Sequence, residues 1–96
     1  MSGRSKPTKK QLEVLRALRE GGEIEVFDGG GKEWTVHLLD DDNNVKWILR
    51  EVTWLRLYDH GWIKKVKDKM KYVISERGKL ALRAADYPYL RVVKHD

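Results

Sequence analysis

The chain has 96 residues and a formal net charge of +5, from twenty Lys and Arg against fifteen Asp and Glu. That length allows one domain with a core of its own. With no cysteine there is no disulfide framework and no thiolate metal site, and apolar runs of three or four residues are too short for a signal peptide or a spanning helix, so a cytoplasmic location is the default expectation.

Residues 1–7 are polar and basic with little to bury, and they are expected to form a disordered tail ahead of a single domain over residues 8–96. Thr8 followed by Gln11 reads as a capping box, in which hydroxyl and amide satisfy two free N–H groups at a helix start. Leu12, Val14, Leu15, Ala17 and Leu18 give that helix an apolar stripe, and Gly21-Gly22 stops it near Glu20. Ile24 and Val26, then Trp34, Val36 and Leu38, alternate with polar residues on either side of Asp28-Gly29-Gly30-Gly31, the pattern of a β-hairpin. The alternative over residues 32–39 is a short helix. Trp34, Thr35, Val36 and His37 argue against it, because aromatic and β-branched side chains lose rotamer freedom in a helix.

Asp40, Asp42, Asn44 and Glu51 match positions of a calcium loop, but Val45 stands where its glycine is needed and Glu51 falls in a predicted helix. A polar turn that places acids at the positive end of the next helix explains them, and no metal is expected. The next element is predicted as one long helix from Val45 to the Asp59-His60 pair, capped by Asn44 and ended by Gly61 in the left-handed conformation. On its wheel Val45, Ile48, Leu49, Val52 and Leu55 share one face, assigned to the core. Trp47, Trp54 and Tyr58 fall nearly opposite, flanked by Lys46, Arg50 and Thr53. These aromatic residues either pack beneath residues 24–39 or the Tyr87-Pro88-Tyr89 segment, or present a surface to a partner.

Residues 62–66 and 70–74 are predicted to pair across Lys67, Asp68 and Lys69. Lys64, Lys65, Lys67, Lys69 and Lys71 place five lysines within eight residues of this hairpin. Such a turn either contacts phosphate or guards a sheet edge against aggregation. Ser75 reads as the cap of a final helix.

The order of long helix, glycine stop, lysine-rich hairpin and a last helix opening on Ile74-Ser75-Glu76-Arg77-Gly78 resembles the second half of bacterial winged-helix transcriptional regulators. The resemblance spans residues 45–85. It implies a small α+β, winged-helix-like domain and binding of double-stranded DNA by a regulator or accessory factor, of a size and charge that would suit a phage or mobile element. Lys46, Arg50, Thr53 and Arg56 would then contact the groove or backbone, and the five hairpin lysines would meet phosphate. A hairpin over residues 24–39 departs from that family, since it removes the helix that braces the recognition helix. The competing expectation is a protein-interaction module, either a small inhibitor or adaptor or a homodimer, working through Trp47, Trp54 and Tyr58. Neither reading calls for a cofactor. His37, His60 and His95 are scattered without ligand spacing and no acid and base pair stands out, so an enzyme is not expected.

Overall fold

The computed structural model of the chain describes residues 6–28 and 34–86. Most of the predicted basic tail, the Gly29-Gly30-Gly31 turn and Tyr87-Pro88-Tyr89 lie outside the described residues. The elements run α1 Lys9–Arg19, β1 Glu23–Asp28, β2 Trp34–Leu39, β3 Val45–Leu49, α2 Glu51–Asp59, β4 Ile63–Lys65, β5 Lys71–Ile74 and α3 Glu76–Asp86. The result is an α+β fold in which three helices accompany a five-stranded antiparallel sheet of order β3-β2-β1-β5-β4.

α1 begins and ends as its sequence dictates. The Thr8 hydroxyl accepts from the Gln11 N–H at 3.2 Å, and Gln11 Oε1 accepts from the Thr8 N–H at 2.8 Å. After Glu20 the chain turns at Gly21 and Gly22. A Cβ on Gly22 would stand 2.5 Å from the Leu39 carbonyl oxygen and 2.9 Å from that of Ala17, so only glycine lets β1 leave so close to the helix. β1 and β2 form the predicted hairpin, with Ile24 opposite Leu38 and Val26 opposite Val36. These four residues are buried in one cluster with Val14, Leu15 and Leu18 of α1, which places the helices on one face of the sheet.

The single long helix expected from Val45 is instead two elements. Val45–Leu49 is a strand, paired with β2 through Leu38↔Trp47, His37↔Ile48 and Val36↔Leu49, with a bulge opposite the Leu38–Leu39 step. Arg50 then stays extended (φ −75°, ψ 147°), and α2 begins at Glu51 without a side-chain cap. The physical reason is the one that disfavours a helix over Trp34–His37: Val45, Trp47 and Ile48 are β-branched or aromatic and fit a pleated edge better than a helix. Asn44 therefore caps no helix. Its N–H donates to Asp40 Oδ1 at 2.9 Å, inside a tight turn.

Moving the helix start also reverses its buried face. α2 contributes Trp54 and Leu57 to the core, while Val52 and Leu55 are exposed, as are Val45 and Ile48 on β3. Of the five residues assigned to the core face, only Leu49 is buried.

The last third follows its local signals closely. Gly61 has φ +76° and closes α2, as its position predicts. Ser75 Oγ accepts from the Gly78 N–H at 3.0 Å and donates to the Gly61 carbonyl, while the Ser75 N–H donates to the Trp62 carbonyl at 2.9 Å. A Cβ on Gly78 would stand 2.0 Å from that same carbonyl oxygen. The first turn of α3 is thus pressed onto the backbone where β4 begins. Asp86, at the other end of α3, accepts from Arg16 at 2.8 Å and Arg19 at 3.5 Å and ties α3 to α1.

Candidate nucleic-acid interface

β4 and β5 pair through Ile63↔Ile74, Lys64↔Val73 and Lys65↔Tyr72, within a residue or two of the predicted strand bounds. The turn is closed by Val66 N–H donating to the Lys71 carbonyl at 2.7 Å and Lys69 N–H donating to the Val66 carbonyl at 3.1 Å. Asp68 occupies the left-handed position at its tip (φ 60°), which aspartate tolerates better than most residues. β4 lies at the sheet edge, and Lys64, Lys65, Lys67 and Lys69 are all exposed. None of the four forms an ion pair with a described residue. Lys71 differs. It is half-buried with its Nζ 3.5 Å from Glu23 Oε1, so its charge is directed to β1 and away from the turn.

The other residues predicted to contact DNA do not gather beside this hairpin. Lys46 lies on β3, not on a helix, four strand intervals from β4, or about 19 Å across the sheet. It lines a pocket with Glu20, Asp40 and Asp41, and its Nζ is 5.5 Å from the centre of the Trp47 ring. Arg50 stands at the start of α2 in a groove near the β3 edge. Thr53 is half-buried, and Arg56 is exposed in the last turn of α2.

Of the two readings of the aromatic residues, packing beneath residues 24–39 holds for Trp54. Trp54 is 7% exposed, with ring centroids 6.2 Å from Trp34 and 5.5 Å from Tyr72. Tyr58 continues the row edge-on to Tyr72 at 5.7 Å, but half of it remains open to solvent. Burial pushes the Tyr72 hydroxyl above its usual pKa, and the neighbouring Tyr58 adds to the effect. Trp54 Nε1 is buried in this row with no hydrogen-bond partner among the described residues, a desolvated donor that the aromatic packing must offset. Trp47 is half-buried on β3, with Lys10 Nζ 4.8 Å from its ring centre. The three aromatic residues therefore do not form one exposed surface.

What the sequence pattern concealed is an apolar set at the other side of the sheet. Trp34, Ile48 and Val52 are exposed and line one groove where β2, β3 and α2 meet, and Leu55 is exposed one turn further along α2. Helical spacing sets Val52 and Leu55 opposite Trp54 and Leu57 whether or not the helix breaks at Arg50, so the sequence offers two apolar faces and no sign of which is buried.

Asp40, Asp41 and Asp42 bring carboxylate oxygens within 4.8 Å of one another. Asp40 Oδ1 accepts from the N–H groups of Asp42 and Asn44, both at 2.9 Å, so the cluster is accounted for as the turn that leads into β3. No described helix is long and apolar enough to cross a membrane. Comparisons with protein-family models, with curated proteins and with solved structures found no match.

Proposed function

We propose that this chain binds double-stranded DNA through the β4–β5 hairpin, as a small regulator or accessory factor built like a winged helix. The observation that carries the reading is the hairpin itself, with four exposed lysines around one tight turn and no ion pair to a described residue. Such a concentration of unpaired positive charge favours a polyanion whose condensed counterions it can displace. The arrangement around it supports the comparison with winged helices. α2 passes through Gly61 directly into β4, β5 lies between β4 and β1, and α3 follows β5 through the Ser75 cap. The departures are that β2 stands where that family has a second helix, and that β3 takes the first five residues of the expected recognition helix and leaves nine for α2.

The outward face of α2 sets how the DNA would be read. Val52, Leu55, Arg56 and Asp59 are exposed along it, which leaves a single cation to address base edges. Lysine contacts to phosphate supply affinity with little sequence information. Binding of modest sequence preference and steep salt dependence is the expected behaviour. With four phosphates neutralised, log affinity against log salt should have a slope of about −3.6. Changing Lys65, Lys67 and Lys69 together to alanine should bring that slope to about −1 and weaken all duplex sequences alike. A slope unchanged in the triple variant, or no binding of any duplex at low salt, overturns the proposal and leaves the lysines as guards of the β4 edge.

A further inference from the structure

At the opposite edge of the sheet, β3 ends sooner than β2 does. The ladder between them stops at Val36↔Leu49, because the chain leaves the sheet at Arg50 to enter α2. Trp34 and Thr35 are consequently paired with β1 alone, and a groove of about 490 Å³ opens beside them. Val36 and Leu49 line it together with Ile48 and Val52, and Arg50 and Glu51 are part of the same lining. Ile48 is 73% exposed, an extreme value for an isoleucine and the reverse of the lysine guard at the β4 edge.

We propose that this groove is the contact between two copies of the chain, related by a two-fold axis that sets Arg50 of each copy against Glu51 of the other. A two-fold contact uses the same patch on both partners, so the patch must complement itself. This one does. Arg50 and Glu51 are adjacent in the chain, opposite in charge and exposed or half-exposed on one groove, and neither side chain pairs with a described residue. Inverting the order of the two charges, as a two-fold axis does, brings each against its opposite twice. Ile48 and Val52 then supply apolar area beside the charges, which fix the register of the contact. A ligand of one charge gains at one of these residues and loses at its neighbour. A phosphate backbone, in particular, meets Glu51 and an apolar wall. The dimer does not depend on DNA binding, and it is tested without DNA.

The decisive experiment is sedimentation equilibrium of the full chain and three variants, from about 10 µM to about 1 mM, which spans the affinities usual for small transient contacts. The natural chain should show a monomer–dimer equilibrium. Arg50→Glu and Glu51→Arg should each raise the dimer dissociation constant by at least about tenfold, because each sets like charges together twice. An equimolar mixture of these two variants should dimerise again, since each now offers what the other lacks. Ile48→Asp should also give a monomer, with its thermal midpoint within a few degrees of the natural chain as expected of a surface change. A chain that stays monomeric throughout overturns the proposal. So does a dimer that both charge reversals leave intact, or a mixture that does not recover, since a role for Arg50 or Glu51 inside one chain cannot be restored by mixing.

Discussion

The two edges of the sheet meet the same difficulty, a row of backbone groups with no partner strand among the described residues, in opposite ways. β4 is three residues long and carries lysines, and its start is held from behind, where the Trp62 carbonyl receives the Ser75 N–H and abuts Gly78. β3 is longer, is bent by a bulge, and exposes Val45 and Ile48. Charge and a bulge are both known guards of an edge, but only the first leaves the surface polar. The comparison teaches where to look for partners of different kinds. The edge that repels other strands suits a polyanion, and the edge that keeps apolar side chains in solvent suits protein.

Removing what lies between the edges should have the largest effect. Trp54 touches Trp34 toward one side of the sheet and Tyr72 toward the other, so Trp54→Ala should destabilise the domain by about 3–5 kcal/mol. Val52→Ala, two positions away on the exposed face, should change stability by less than about 0.5 kcal/mol. Urea melts that reverse this order would mean that α2 faces the sheet with its other side.

Loosening only the lysine edge is a sharper test. Gly78→Ala forces a methyl group into the Trp62 carbonyl and should cost about 3 kcal/mol, since the obstacle is backbone and cannot rotate away. Near-neutral behaviour in the same melts would show that β4 is not held by α3. Ile48→Ala at the other edge, by comparison, should stay within about 0.5 kcal/mol.

The smallest effect is electrostatic and concerns neither edge directly. Arg16, by hydrogen bond and charge, and then Arg19, hold the Asp86 carboxyl below the usual aspartate range. A carboxyl depressed in the folded chain contributes stability above its unfolded pKa and loses it as pH falls through the folded value. Asp86→Asn should therefore lower stability near neutral pH by less than about 1 kcal/mol, as the half-exposed arginines dictate, and should flatten the acid side of the stability profile. An unchanged acid limb would show that the α1–α3 tie makes no contribution.

Much of this architecture is legible from short-range signals. The Thr8–Gln11 box, the glycine stop at Gly22, the Ile24–Leu38 alternation, the lysine hairpin and the Ser75 cap all act through neighbours in the chain, and each is found where its residues predict. The passage from Val45 to Asp59 is not legible in that way. Its apolar spacing fits a helical wheel, Arg50 provides no side-chain cap to announce a new start, and the choice of strand is made by pairing with Leu38 and His37 of β2. A helix running on from Val45 assigns Val52 and Leu55 to the core and leaves Trp54 with two possible surroundings, whereas the structure exposes the first two and buries Trp54. Four of the five hairpin lysines are exposed as expected, because the tight turn and the edge position of β4 hold them there, while Lys71 is drawn to Glu23 of β1.

One further consequence follows from the strand order. β1, β2 and β3 are consecutive in the chain, as are β4 and β5, and the two groups meet only where β1 adjoins β5, through Ile24↔Tyr72, Glu25↔Lys71 and the Val26 N–H to the Met70 carbonyl. Each group can form from local contacts, whereas their seam must close a long loop before it gains anything. Assembly of the chain should thus be limited by the docking of two preformed pieces. A truncation confined to one piece, such as Leu38→Ala between β1 and β3, should therefore slow refolding as well as lower stability.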